Sequence, residues 1–272
     1  MRDAGPSTPS NYRARKRFGQ HFLHDPKIIQ RIVDAIAPKP GERLVEIGPG
    51  RGAITKPLLQ RAGEMDAVEL DRDLIPVLEA ACEQDGVLRV HSGDILGIDL
   101  HSLRGTGERL RIVGNLPYNI STPLIFRLLE AKSCIEDMHF MLQKEVAERM
   151  TASPGTKIYG RLTVMLAAHC SVHRLFRVGP GAFKPPPRVD SVFVRIEPLQ
   201  DPPFSIDDPE VFAKLVSHAF SQRRKTLRNA IRVFLDESDI RDLGLDPALR
   251  PEALAPADFA HLANLVSAKE TK

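Results

Sequence analysis

The stretch Leu44-Val45-Glu46-Ile47-Gly48-Pro49-Gly50-Arg51-Gly52 joins a strand, a glycine turn and the start of a helix. Leu44 to Ile47 reads as a buried strand, the glycines as a tight turn, and Ile54 to Ala62 as the helix that follows. Glycine at alternate positions lets the backbone turn sharply and lets a ligand approach it closely. Nineteen residues beyond Gly50, Glu69 falls at the end of the next apolar run, Ala67 to Leu70. A carboxylate there suits the two hydroxyls of a ribose. A glycine-rich turn alone is weak ground. Strand, loop, helix, strand and terminal acid in that order describe a nucleoside-binding unit at the edge of an open α/β sheet.

The pattern extends in both directions. Upstream, Asp25-Pro26 opens a helix with Ile28, Ile29, Ile32, Val33 and Ile36 on one stripe, and Pro38-Lys39-Pro40-Gly41 ends it. Downstream come a helix from Leu74 to Ala81, strands at Val87–Val90 and Leu110–Val113, and a helix through Leu129 with Thr122 as its cap and Pro123 in its first turn. A strand at Met138–Leu142, helical residues 143–150 and a helix from Leu162 to Cys170 follow. Two late strands, Val172–Val178 and Ser191–Ile196, have no helix between them, so one of them runs antiparallel. These repeats predict an α/β fold, a Rossmann-like sheet of seven mostly parallel strands covered on both faces. Asp201-Pro202-Pro203 reads as a linker, and Asp208-Pro209-Glu210 starts a helix with Val211, Phe212, Leu215, Val216, Ala219 and Phe220 on one side. The organisation expected is a Pro/Ser-rich tail at 1–12, an α/β domain at 13–200 and a small all-α domain at 206–272.

Composition narrows the classes. The chain has 272 residues, 42% of them hydrophobic, and a formal net charge of +3, which suits one large and one small globular domain. Cys82, Cys134 and Cys170 are scattered and form no metal-ligand or disulfide spacing. No apolar run approaches the roughly 20 residues of a membrane span, and the basic N-terminus lacks the apolar core of a secretory signal. The expectation is a cytoplasmic monomer with no metal and no membrane contact. Basic residues are grouped rather than abundant. Arg13, Arg15, Lys16 and Arg17 form one cluster, and Arg223, Arg224, Lys225 and Arg228 form another. Each reads as a candidate phosphate contact or as a solvated face.

The chemistry-bearing residues converge on the carboxyl ends of the strands. Both a nicotinamide dinucleotide and S-adenosylmethionine fit a glycine loop with a following acid. Here the glycines alternate, without the pyrophosphate pattern, and a further acid, Asp94 in Ser92-Gly93-Asp94-Ile95, follows the third strand. Acids gathered around a cationic sulfonium are electrostatically sensible, whereas acids around a pyrophosphate are not. Asn115-Leu116-Pro117-Tyr118 then sits at the end of the fourth strand. The Asn115 side-chain oxygen and the Leu116 carbonyl suit the hydrogens of a base's exocyclic amine, favouring a tetrahedral nitrogen that attacks a methyl donor in line. Tyr118 is placed to stack on the base. Phe183, heading Phe183-Lys184-Pro185-Pro186-Pro187-Arg188-Val189-Asp190-Ser191, reads as a second wall clamping a flipped base. Gly19-Gln20-His21-Phe22-Leu23 is expected to fold over the cofactor.

Taken in order, these motifs, together with Gln222-Arg223-Arg224-Lys225-Thr226-Leu227-Arg228-Asn229, resemble the ribosomal RNA adenine dimethyltransferase family, in its bacterial small-subunit branch associated with kasugamycin sensitivity. The resemblance covers about residues 15–266. It implies a class I methyltransferase fold, S-adenosylmethionine as methyl donor, and dimethylation of two adjacent adenosines in the 3′-terminal hairpin of 16S rRNA. It also implies binding to an immature 30S particle and a role in its assembly. By matching positions, His21, Leu23, Gly48, Glu69, Asp94 and Asn115 contact the cofactor. Asn115, Leu116, Tyr118 and Phe183 hold the adenine, and Arg15, Lys16, Arg17, Arg223, Arg224, Lys225 and Arg228 contact RNA. The rivals are a large-subunit enzyme of the macrolide-resistance type and a non-catalytic assembly or transcription factor on the same fold. The Gln222–Asn229 series favours the small-subunit enzyme.

Overall fold

The computed structural model describes residues 20–104, 107–117 and 120–270. A two-residue strand, β1 (Phe22–Leu23), precedes α1 (Pro26–Ile36). The Asp25 carboxylate accepts from the Lys27 and Ile28 amides, and Pro26 takes the first helical position, where a missing N–H costs nothing. Ile32, Val33 and Ile36 are buried, each side chain contributing roughly 1.5–3 kcal/mol by leaving water.

The alternation continues through β2 (Arg43–Ile47), α2 (Thr55–Ala62), β3 (Glu64–Glu69), α3 (Ile75–Cys82), β4 (Val87–Ser92), α4 (Leu100–Arg104), β5 (Leu110–Asn115), α5 (Ser121–Glu130), β6 (Ile135–Gln143), α6 (Lys144–Met150) and α7 (Arg161–His169). β7 (Cys170–Val178), β8 (Phe183–Lys184) and β9 (Ser191–Pro198) follow. The main sheet has seven strands in the order β4-β3-β2-β5-β6-β9-β7. β2 pairs in parallel with β3 and β5, as do β3 with β4 and β5 with β6. β1 and β8 form a separate antiparallel pair, Phe22 opposite Lys184 and Leu23 opposite Phe183.

Two strands start earlier than their apolar runs suggest, because each carries an acid that its neighbour neutralises. In β3, Asp66 is 4% exposed. It stands opposite Arg89 in register and accepts from Arg89 Nε at 3.2 Å and from His91 Nε2 at 2.8 Å. In β6, Asp137 stands opposite Arg111 of β5, whose Nε and Nη2 reach it at 3.0 and 2.9 Å. Arg111 also bonds Glu42 at 2.6 Å and the Ile36 carbonyl at 2.8 Å. Paired charges are tolerated where a lone one is not. At α5 the expected Thr122 cap does not form. The helix begins at Ser121, and Ile120 precedes it without a side-chain cap bond.

The contacts divide the chain into two units. One runs to Lys144 and includes His173–Arg195; the other comprises Glu145–Val172 and the chain from Ile196 onward. The expected division lay at 200–206, so residues 145–172 fall with the C-terminal helices. The reason is apolar packing. In that second unit α7 packs on α8 (Pro209–Ser221) and on α11 (Pro256–Glu270), which also pack on each other. Tyr159 is fully buried there and donates its hydroxyl to the Leu254 carbonyl at 2.8 Å, while Phe220 lies 5.9 Å from Tyr159 and 5.4 Å from Phe259, ring centre to ring centre. The short helices α9 (Leu227–Ala230) and α10 (Glu237–Asp242) complete the all-α set. Among the described residues no helix is long and apolar enough to cross a membrane.

Gly114 marks where the sheet tolerates no side chain. A Cβ there would sit 2.7 Å from the Ile47 carbonyl oxygen and 3.0 Å from Leu116 Cδ2. Gly114→Ala should therefore cost about 1–3 kcal/mol, read as a lower urea midpoint at an unchanged slope. A wild-type midpoint would show that β2 and β5 separate without strain.

Candidate active site

A cavity opens at the carboxyl ends of β2, β3 and β5, where parallel strands release their chain into loops on one edge. The loop after β2 forms its floor. Gly48, Gly50 and Gly52 have φ of 65°, 59° and 80°, a left-handed region costly to any residue with a Cβ. At Gly50 a Cβ would also meet the Phe22 ring at 3.1 Å. Phe22 therefore lies over the loop, and the Arg51 guanidinium stands 5.0 Å from the centre of the same ring.

Glu69 closes the loop onto the next strand. It is 5% exposed, and its carboxylate accepts from the Gly50 amide at 3.1 Å and the Asp71 amide at 2.8 Å. Burial raises its pKa above the usual carboxylate range, against the lowering effect of those amides. Glu46, at 1% exposure, lines the same cavity. Its Oε2 has no hydrogen-bond partner among the described residues. Burial pushes its pKa up to about 8, the Thr55 hydroxyl pulling the other way and Glu69 adding repulsion. Asp94 lines the cavity from the end of β4 and is exposed. It also serves its local turn, accepting from the Leu96 amide at 3.0 Å.

Asn115 ends β5 and lines the cavity with Leu116 and Pro117. Its Nδ2 donates to the His21 carbonyl at 2.9 Å. Leu116 is buried, and its amide donates to the Met141 carbonyl of β6 at 3.3 Å. The segment Gln20–Leu23 crosses this edge as a strap. His21 Nδ1 meets the Pro185 carbonyl at 2.8 Å, and Gln20 Nε2 meets Asp71 at 3.4 Å.

The structure thus brings His21, Leu23, Gly48, Glu69, Asp94, Asn115 and Leu116 to one cavity. It does not bring Phe183 there. That residue is 2% exposed, stands opposite Leu23 in the β1–β8 pair and belongs to the buried cluster that also holds Phe193. Phe193 of β9 lines the cavity instead, and no motif announced it. Its position follows from strand order, which sets β9 beside β6. Glu46 was legible only as part of the loop, although an acid inside an apolar strand is itself a signal. Tyr118, Arg15, Lys16 and Arg17 lie outside the described residues.

The second unit separates the basic cluster. Arg223 is engaged internally, with Nε on Glu252 at 2.6 Å and Nη2 on the Lys157 carbonyl at 2.5 Å. Its chain spacing matched a phosphate contact, but folding places a carboxylate and carbonyls within reach. Arg228 pairs with Glu237 at 2.9 Å. Arg224 and Lys225 are exposed and carry no ion pair among the described residues.

A mostly parallel seven-stranded sheet in this order, with a glycine loop and acids at its carboxyl edge, defines a class I methyltransferase. Residues 11–267 match the ribosomal RNA adenine dimethylase family, and the chain belongs to that family. It is 54% identical over 253 residues to "Ribosomal RNA small subunit methyltransferase A" of Pseudomonas aeruginosa, covering 93% of this chain and 94% of the relative. A Marinomonas protein of the same name is 51% identical, with 95% and 97% covered. Among solved structures, a dimethyladenosine transferase from Plasmodium falciparum superposes with a TM-score of 0.79 at 27% identity, covering 92% of this chain and 98% of that one. The 23S rRNA methyltransferase ErmE gives 0.70 at 25% identity, over 90% and 99%.

The buried Glu46 makes a pH prediction. Its folded pKa lies above the ordinary glutamate value of 4.5. Its favourable contribution is full below that value and is lost as pH rises through about 8. Glu46→Gln should therefore flatten the fall in melting temperature between pH 5 and pH 8 measured for the ligand-free protein. Parallel curves for the two proteins would show that Glu46 does not titrate in this range.

Proposed function

We propose that the chain transfers methyl groups from S-adenosylmethionine to the 6-amino groups of two adjacent adenosines in the 3′-terminal hairpin of small-subunit rRNA. We place its action on an immature subunit, as a monomer in the cytoplasm. The observation that carries this reading is Asn115 at the end of β5, in one cavity with Glu46, Glu69 and Asp94. The donor set fits the cofactor. Carboxylates suit a nucleoside that carries cationic groups, and Glu46 Oε2, buried without a partner among the described residues, leaves a polar atom for a ligand to satisfy. The glycine loop offers backbone a side chain would cover.

When bound, the cofactor supplies an electrophilic methyl group. The chain's residues bind and orient. His21, Leu23, Gly48, Glu69, Asp94 and Asn115 hold the cofactor, with Glu69 on the ribose hydroxyls and Asp94 toward the adenine amine. Asn115 Oδ1 and the Leu116 carbonyl accept from the target amine, drawing its lone pair out of the ring and toward the methyl; positioning supplies much of the acceleration. Asn115 is uncharged and sets no anion beside the amine. Tyr118 stacks on the base. Phe183, buried opposite Leu23 of the strap, forms the second wall by turning out of the core. Arg224 and Lys225, with the Arg15–Arg17 run, meet RNA phosphates, whose contribution falls with salt.

The similarity to ErmE supports a second reading, methylation of large-subunit rRNA. Identity of 54% to a small-subunit relative, against 25% to ErmE, favours the first. Labelled S-adenosylmethionine should transfer tritium to small subunits lacking the modification, and label confined to large-subunit rRNA would overturn the reading. Asn115→Ala should lower the rate about a hundredfold or more while cofactor binding, followed by calorimetry, persists; wild-type turnover would remove Asn115 from the mechanism. Arg224→Glu with Lys225→Glu should weaken subunit binding and flatten its salt dependence, whereas Arg223→Ala should lower the melting temperature of the protein. Unchanged subunit affinity in the double variant would place the RNA surface elsewhere.

A further inference from the structure

The Asn115 carboxamide has a donor side and an acceptor side. Its nitrogen is committed to the His21 carbonyl at 2.9 Å. That commitment leaves Oδ1, which no described residue occupies, as the atom available to a ligand. The carbonyl that receives the nitrogen belongs to the strap, and the strap is held from two directions. On one side, β1 pairs with β8, the His24 amide donates to the Ala182 carbonyl at 2.9 Å, and His21 Nδ1 meets the Pro185 carbonyl. On the other, Phe22 rests over Gly50, and Gln20 reaches Asp71, whose amide in turn holds Glu69.

We propose that the His21 backbone carbonyl is the positioning group for Asn115. It fixes the carboxamide with nitrogen on the strap and oxygen toward the substrate, so that the amine acceptor forms only when the strap lies across the sheet edge. The inference rests on the reading that Asn115 holds the target amine. It explains why position 115 carries an amide rather than a carboxylate. An Asp there would set a carboxylate oxygen against the carbonyl oxygen, with no hydrogen between them. A site that needed only an oxygen acceptor would accept either residue.

The test compares wild type, Asn115→Asp and Asn115→Ala in two measurements. The first is hydrogen exchange of the amides of residues 22–24 without RNA, with the β5 amides as an internal check on folding. At pH 7.5 the Asp variant should lose protection in the strap by about tenfold, with β5 unchanged. Lowering the pH protonates the new carboxyl and restores a donor, so protection should recover in the Asp variant and not in the Ala variant. Wild type, run in parallel, controls for the other ionisable and charged groups at the strap and cavity: Glu46, Glu69, Asp71, Asp94, Arg51 and the His21 ring. The second measurement is methyl transfer at pH 7.5, in which the Asp variant should fall as far as the Ala variant. Wild-type strap protection in the Asp variant, or transfer near the wild-type rate, would overturn the proposal. If wild type itself methylates no adenine, the functional reading fails, and the exchange comparison still decides the strap contact.

Discussion

The carboxylate of Glu69 holds the working edge of the sheet together. It accepts one amide from the glycine loop and one from the turn after its own strand, so two neighbouring strand ends share a single buried anion. A carboxylate with two amide donors offsets much of its desolvation cost. The glycine loop depends on this bond for its shape, and the loop in turn provides the surface on which Phe22 rests. The strap, and with it the orientation of Asn115, follows from that contact.

Buried charge recurs through the α/β unit, with two different outcomes. Away from the site, Asp66 and Asp137 face arginines on adjacent strands and are satisfied. At the site, Glu46 has an oxygen without a partner among the described residues, and both it and Glu69 have raised pKa values. Asp66 and Asp137 are bound by arginines across paired strands, whereas Glu46 and Glu69 line the cavity with Asp94. Perturbed carboxylates gathered in one concave site are a mark of function rather than of stability alone.

The basic cluster of the C-terminal unit shows how folding sorts residues that look alike in a chain. Arg223, Arg224 and Lys225 are consecutive, yet Arg223 is drawn in by Glu252 and two backbone carbonyls while the other two remain exposed. A planar guanidinium with several donors suits an internal clamp. The division into units obeys the same logic. The helix at Arg161–His169 belongs by sequence to the run of β-α repeats, but its apolar face is covered by α8 and α11.

The sequence alone specified the seven strands, the glycine loop, the acids at 69 and 94, and Asn115 at a strand end. These are local matters, settled by apolar periodicity, by the steric freedom of glycine and by the rule that parallel strands end on a common edge. It also carried the family resemblance, because the motifs occur in a single order. Tertiary structure decided the rest. It extended β3 and β6 through buried acids that only an arginine on the next strand permits. It placed Phe183 in the buried cluster beside a two-residue strand too short to show periodicity, and it brought Phe193 to the cavity by strand order. It joined His21 to Asn115 across 94 residues. No local pattern encodes such a contact, since it exists only after the strap has been laid against a sheet edge that distant segments build.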